Sequence, residues 1–130
     1  MYILTIRTDK PEAEIGLFEG EAKLAYSTWH AHRQLAETIH LKIRELLESQ
    51  GRDLHDIEAV VAYKGPGSFT GLRIGLSVAN VLAYSLDIPI VATNGLKWTE
   101  SGIEKILDKQ NDTISLPEYG APAHTTEQKK

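Results

Sequence analysis

The chain has 130 residues, 42% hydrophobic and 25% charged, which suits one globular domain with a single core. It holds no cysteine, which excludes disulfides, thiolate metal sites and a cysteine nucleophile. Its 14 basic residues are scattered among 18 acidic ones for a net charge of −4, without the clustered Lys and Arg that a nucleic-acid backbone rewards, so any work on RNA needs a partner's surface.

"YILTIRT" at Tyr2–Thr8 is β-branched and apolar, as expected of a strand covered on both faces. "DKPE" is turn chemistry, and "EIGLF" and "AKLAYST" read as two strands joined in a hairpin at Glu19-Gly20-Glu21. A helix is expected over about Ala31–Gln50, with Leu35, Ile39, Ile43, Leu46 and Leu47 as its core stripe and Gly51 as its stop. Leu41 falls on its charged side with Glu37, Arg44 and Glu48, an odd place for an apolar residue.

"IEAVVAY" at Ile57–Tyr63 reads as a buried strand, and "GPGSFTGLRIG" (Gly65–Gly75) leads into a second helix over about Thr70–Ser85. "IPIVAT" is a short strand, and "GLKWTESGIEKILDK" a weaker helix interrupted at Gly102. The order β-β-β-α-β-α-β-α predicts an α/β fold: a single actin-like, ribonuclease-H-type half with a mixed five-stranded sheet. That domain is expected over residues 1–109. Residues 110–130 read as an extended tail, with Leu116 and Tyr119 as its docking candidates.

The glycine loop has two readings. A strand, a glycine turn and a helix N-terminus present backbone N–H groups to an anion, which makes Gly67, Ser68, Thr70 and Gly71 candidate phosphate or nucleotide contacts. The specific signatures fail: Gly71 is followed by Leu72 and Arg73 rather than the Lys of a Walker loop, and neither G-x-G-x-x-G nor G-x-S-x-G fits. A capped turn without a ligand explains the same residues equally well. The second reading is packing. Gly71, Gly75, Ala79 and Ala83 recur every four residues as a ridge of tiny side chains. Glycine inside a helix costs about 1 kcal/mol relative to alanine, so close approach of another backbone is expected there. The apolar arc, which includes Leu76, leaves only Arg73, Ser77, Asn80 and Tyr84 as a polar strip, wider cover than one sheet face needs. Its neighbours are expected to be the sheet, the first helix and another subunit; a helix wedged inside its own domain is the alternative.

"GPGSFTGLRIG", preceded by "LHDIEAVVAYK" and followed by "SVANVLAYSLDIPIVATNGL", resembles the TsaB family, and the likeness runs from about Met1 to Gly95. The resemblance implies an actin-like, non-catalytic partner of the paralogue TsaD. TsaD, with TsaE and the threonylcarbamoyl-adenylate made by TsaC, installs N6-threonylcarbamoyl on adenosine beside the anticodon of ANN-decoding tRNAs. It further implies that the two long helices pair with equivalent helices of TsaD, with Leu41, Gly71, Arg73, Gly75, Leu76, Ala79 and Ala83 at the interface. Without TsaD the same surface would make a homodimer. ATP or ADP is expected only at a complex interface, no cofactor on this chain alone, and tRNA only through the complex.

Two departures weaken an enzyme reading. Family members carry a second actin-like half, whereas about 35 residues follow Gly95 here. Because "ISLPEYGAPAHTTEQKK" resembles the family's own tail, the second half is expected to be lost internally. Arg7 stands where actin-like phosphotransferases place an acidic residue, and arginine does not hold Mg²⁺.

His30 and His32 have no third ligand at a recognisable spacing, so no metal is expected. Ser68 has no base placed beside it for nucleophilic chemistry. Trp98 is expected to pack the last helix onto the sheet. No apolar run nears the roughly 18–20 residues of a membrane span, and the N-terminus lacks signal-peptide features, so a cytoplasmic protein without membrane contact is expected. The alternatives are a nucleotide-binding actin-like enzyme using the Gly67–Gly71 loop and a homodimer of unrelated function.

Overall fold

β1 (Tyr2–Arg7) is the seam of the molecule. In this computed structural model, which describes residues 1–31, 34–67 and 69–112, it lies at the centre of a five-stranded sheet ordered β3-β2-β1-β4-β5. On one side β1 pairs antiparallel with β2 (Glu12–Glu19), which pairs antiparallel with β3 (Ala22–His30). On the other it pairs parallel with β4 (Ala59–Tyr63), which pairs parallel with β5 (Ile90–Thr93). Helices α1 (Leu35–Glu48), α2 (Phe69–Leu86) and α3 (Trp98–Leu107) complete the expected order.

Strand alternation sorts the two layers. Thr8 continues the face of Leu4 and Ile6 and meets α2, while Val61, the neighbour of Thr5 across the ladder, meets α3. α1 and α2 thus cover one face and α3 part of the other. Ile3, Leu4, Ile6, Ile15, Leu17, Val60, Val61 and Ile90 are all at most 1% exposed, so the sheet is the core.

The boundaries differ from expectation where tertiary pairing wins. β3 runs on to His30 because Trp29 and His30 pair with Ala13 and Glu12, and α1 therefore starts at Leu35 rather than near Ala31. A capping box on Asp53 adds a short 3₁₀ turn, Leu54–Asp56, before β4. α3 passes Gly102 without interruption, because the missing side chain lets the helix lie on Val61. Asn111 and Asp112, just past the expected boundary at residue 109, bond the edge of β5; residues 113–130, with Leu116 and Tyr119, lie outside the described residues.

Gly75 has a comparable reason. A Cβ there would collide with the Thr8 hydroxyl, and Thr8 Cγ2 would lie 2.9 Å away. That hydroxyl donates to the Gly71 carbonyl at 2.7 Å. The helix-propensity gain of Gly75→Ala, about 1 kcal/mol, is smaller than overpacking plus the loss of this bond. Gly75→Ala is expected to lower the unfolding free energy by about 1–3 kcal/mol in urea titrations, with Thr8→Ala added to it recovering part of the loss; simple additivity would show that the two residues do not compete for space.

On the β2–β3 part of the other face, Glu14 accepts from Lys10 Nζ and Tyr26 Oη, both at 2.6 Å. Burial raises the Glu14 pKa, but these bonds and the charges of Lys10 and Arg7 outweigh it and hold the carboxyl below its ordinary value. Tyr26 is pushed up by burial and by its bond to Glu14. The Glu14 contribution is therefore present above the unfolded carboxylate pKa, about 4.3, and is lost as pH falls through the lower folded value. Tyr26→Phe is expected to raise the Glu14 pKa in a carboxyl NMR titration and to flatten the acid limb of the stability curve; an unmoved Glu14 titration would remove Tyr26 from this account.

Candidate functional site

The loop after β4 is tied down by three consecutive residues at the end of β1. Arg7 pairs with Asp9 (Nε–Oδ1 2.7 Å, Nη2–Oδ2 3.2 Å), and its guanidinium carbon lies 4.0 Å from the Tyr63 ring centroid. Tyr63 Oη donates to the Pro66 carbonyl at 3.2 Å, and its ring meets Trp98 edge to face at 5.9 Å. Trp98 is 5% exposed, holding α3 on the sheet as expected. Gly67 backs onto Asp9: a Cβ at position 67 would collide with Asp9 Cβ and lie 3.1 Å from its Oδ2.

This arrangement weighs against the anion reading. A carboxylate pressed against Gly67 opposes a phosphate. The Arg7 guanidinium beside it is already engaged by that carboxylate and by the Tyr63 ring. Gly71 is half-buried with its carbonyl turned to Thr8, and Thr70 is exposed on the first turn of α2. Ser68 lies outside the described residues. Among the described residues no three His, Cys, Asp or Glu gather as a metal site, and no helix is long and apolar enough to cross a membrane.

The small-residue ridge also needs correcting as a partner surface. Leu76, Ala79 and Ala83 are 2%, 0% and 3% exposed, and Gly75 is buried on Thr8. The ridge does serve close packing, but its neighbour is the chain's own sheet, through a threonine side chain rather than a foreign backbone. The expected interface therefore divides. Gly75, Leu76, Ala79 and Ala83 are interior, while Leu41 and Arg73 remain on the outside.

What α1 and α2 turn outward is a different set. Leu41 is 50% exposed, Val81 60% and Tyr84 90%. Between the helices runs a shallow groove of about 450 Å³ lined by Ala36, His40, Arg73, Ile74, Ser77 and Val78. Tyr84 belongs to the polar strip the spacing predicts, whereas Val81, an apolar residue, joins it on the outside. The signal that finds them is the ridge itself: once Gly75, Ala79 and Ala83 face the sheet, Ser77, Val81 and Tyr84 must face away.

A family model of TsaD, tRNA N6-adenosine threonylcarbamoyltransferase, matches residues 29–111. The chain is 30% identical over 118 residues to the tRNA threonylcarbamoyladenosine biosynthesis protein TsaB of Escherichia coli (strain K12), a match covering 82% of this chain and 48% of that protein. Among solved structures, YeaZ from Pseudomonas aeruginosa superposes with a TM-score of 0.67 at 28% identity, over 73% of this chain and 44% of that one. T. thermophilus RuvC gives a TM-score of 0.54 at 16% identity over 95% of this chain and 85% of its own, a likeness of fold and of the ribonuclease-H type. The chain spans about half the length of the curated relatives it matches.

With Asp9 against the loop, calorimetric titration of the chain with ATP and Mg²⁺ is expected to show no binding tighter than about 100 μM, some 5.5 kcal/mol. Tighter binding would restore the nucleotide reading of the Gly67–Gly71 loop.

Proposed function

The chain belongs to the TsaB/YeaZ family, and from that premise we propose that it is a non-catalytic subunit that binds a TsaD-type paralogue in making N6-threonylcarbamoyladenosine in tRNA. The observation that carries the reading is the outer face of α1 and α2. Leu41, Val81 and Tyr84 expose apolar and aromatic surface beside a groove, on helices whose opposite sides are fully used by the sheet. Exposed large apolar and aromatic side chains on neighbouring helices mark protein contact more than small-molecule chemistry. Arg73, exposed on the same face, adds a cation at its rim.

The rest of the molecule fits a scaffold. The end of β1 and the loop after β4 are occupied by their own side chains, which favours a structural role for the glycines. A net charge of −4 leaves tRNA to be held mainly by the partner. TsaE and any ATP or ADP would meet this chain only inside the assembly, in the cytoplasm where tRNA is modified. Two copies would pair through the same face when the paralogue is absent.

The test is light scattering after size exclusion, on the chain alone and mixed with the TsaD protein of the same source. A species with the mass of both chains is expected, and Val81→Asp should weaken it by about tenfold or more, roughly 1.4 kcal/mol, while leaving the unfolding midpoint in place. Gly75→Leu cannot serve as the probe, because position 75 is interior. A complex indifferent to Val81→Asp and Tyr84→Glu would move the interface elsewhere. A chain that ignores TsaD would end the scaffold reading.

A further inference from the structure

Among the described residues β5 is the outermost strand on the parallel side of the sheet, so one row of its backbone groups points away from β4. Unpaired edge groups of this kind template the addition of another strand. Pairing with β4 uses the Pro89 carbonyl, which accepts from the Val60 amide at 3.0 Å, and the Thr93 carbonyl, which accepts from the Lys64 amide at 2.8 Å. By alternation, the amides and the carbonyls of Ile90 and Ala92 face outward.

Three of these four groups are met by the two residues Asn111 and Asp112, just beyond α3. The Ile90 amide donates to Asn111 Oδ1 at 3.1 Å, and the Asp112 amide donates to the Ile90 carbonyl at 2.7 Å. The Ala92 amide donates to Asp112 Oδ2 at 2.8 Å. In a parallel ladder, the residue whose amide reaches the Ile90 carbonyl would offer its own backbone carbonyl to the Ala92 amide. Here its carboxylate takes that place. One residue thus closes the rung with a side chain, and places a negative charge on the edge as well.

We propose that Asn111 and Asp112 form an edge clasp that keeps β5 from pairing with the β5 strand of a second copy of the chain. The clasp occupies the hydrogen-bonding positions that an incoming strand needs, and two copies approaching edge to edge would bring their Asp112 carboxylates together. This inference stands apart from the TsaB/YeaZ reading and from the α1–α2 face.

The experiment compares amide exchange by NMR and mass by light scattering for the full chain and its Asn111→Ala/Asp112→Ala variant. In the variant, at a concentration where it is still monomeric, the Ile90 and Ala92 amides are expected to exchange at least about tenfold faster, while Val91 and Thr93, which face β4, keep their protection. Its mass is expected to rise with concentration above that of the unmodified chain. Asp112→Asn keeps an oxygen acceptor, so the Ala92 amide should keep the protection it has in the unmodified chain. If the double variant lost protection at Val91 and Thr93 too, Asp112→Ala alone carries the same expectation for the Ala92 amide and for mass. Equal exchange of Ile90 and Ala92 in both chains would overturn the proposal. So would a variant that keeps the parent mass up to about 1 mM, the upper end of the range where exposed edges associate.

Discussion

Thr8 sits where a side chain at position 75 would have to be, and its hydroxyl holds the Gly71 carbonyl in the first turn of α2. That contact sets how deeply α2 lies on the sheet. Its neighbours in sequence fix the adjoining loop: Arg7 stacks on Tyr63, whose hydroxyl reaches Pro66, and Asp9 backs Gly67. Three successive residues at the end of β1 therefore position everything from the end of β4 to the second turn of α2. Thr8 is 2% exposed, so the polar hydroxyl is buried only because Gly71 accepts from it. Removing one partner leaves a buried polar group without its bond, which is why the pair acts as a unit.

The same contact explains which surface is left for function. With Gly75, Ala79 and Ala83 committed to the sheet, the helix can only turn Arg73, Ser77, Val81 and Tyr84 outward. The glycines thus shape an outer surface they do not join. A helix set higher on the sheet, as a larger residue at 75 would require, would carry Val81 and Tyr84 outward with it. Core packing and the outer face are in this sense coupled, and a substitution in the first is felt in the second.

Much of the fold was legible in the sequence because its signals are local. The order of strands and helices, the α1 core stripe and the role of Trp98 all follow from period and composition. Helix starts were misplaced where the decisive partner is remote, as when β2 extends β3 to His30. The ridge was legible as a packing device, but not the identity of what packs on it. Spacing reports that small residues line one face; only the placement of Thr8 says that the face is the inner one. What weighs against the anion reading was hidden for a related reason, since Asp9 lies 58 residues from Gly67 in the chain and against it in the fold.

The two edges of the sheet are protected by different means, and the difference follows from chain order. β3 is bordered by a register irregularity at Leu17 and Phe18 and carries Lys23, an exposed cation over the Tyr26 ring; bulges and lysines both discourage strand addition. β5 is only four residues long, Ile90–Thr93, and offers no room for such features. Its protection must come from elsewhere in the chain. α3 supplies it, because a helix packed back over β4 and β5 delivers the following residues to the outer edge. An Asn-Asp pair suits that place: both side chains accept hydrogen bonds close to their own backbone, so two residues can satisfy what a strand of several would otherwise have to satisfy.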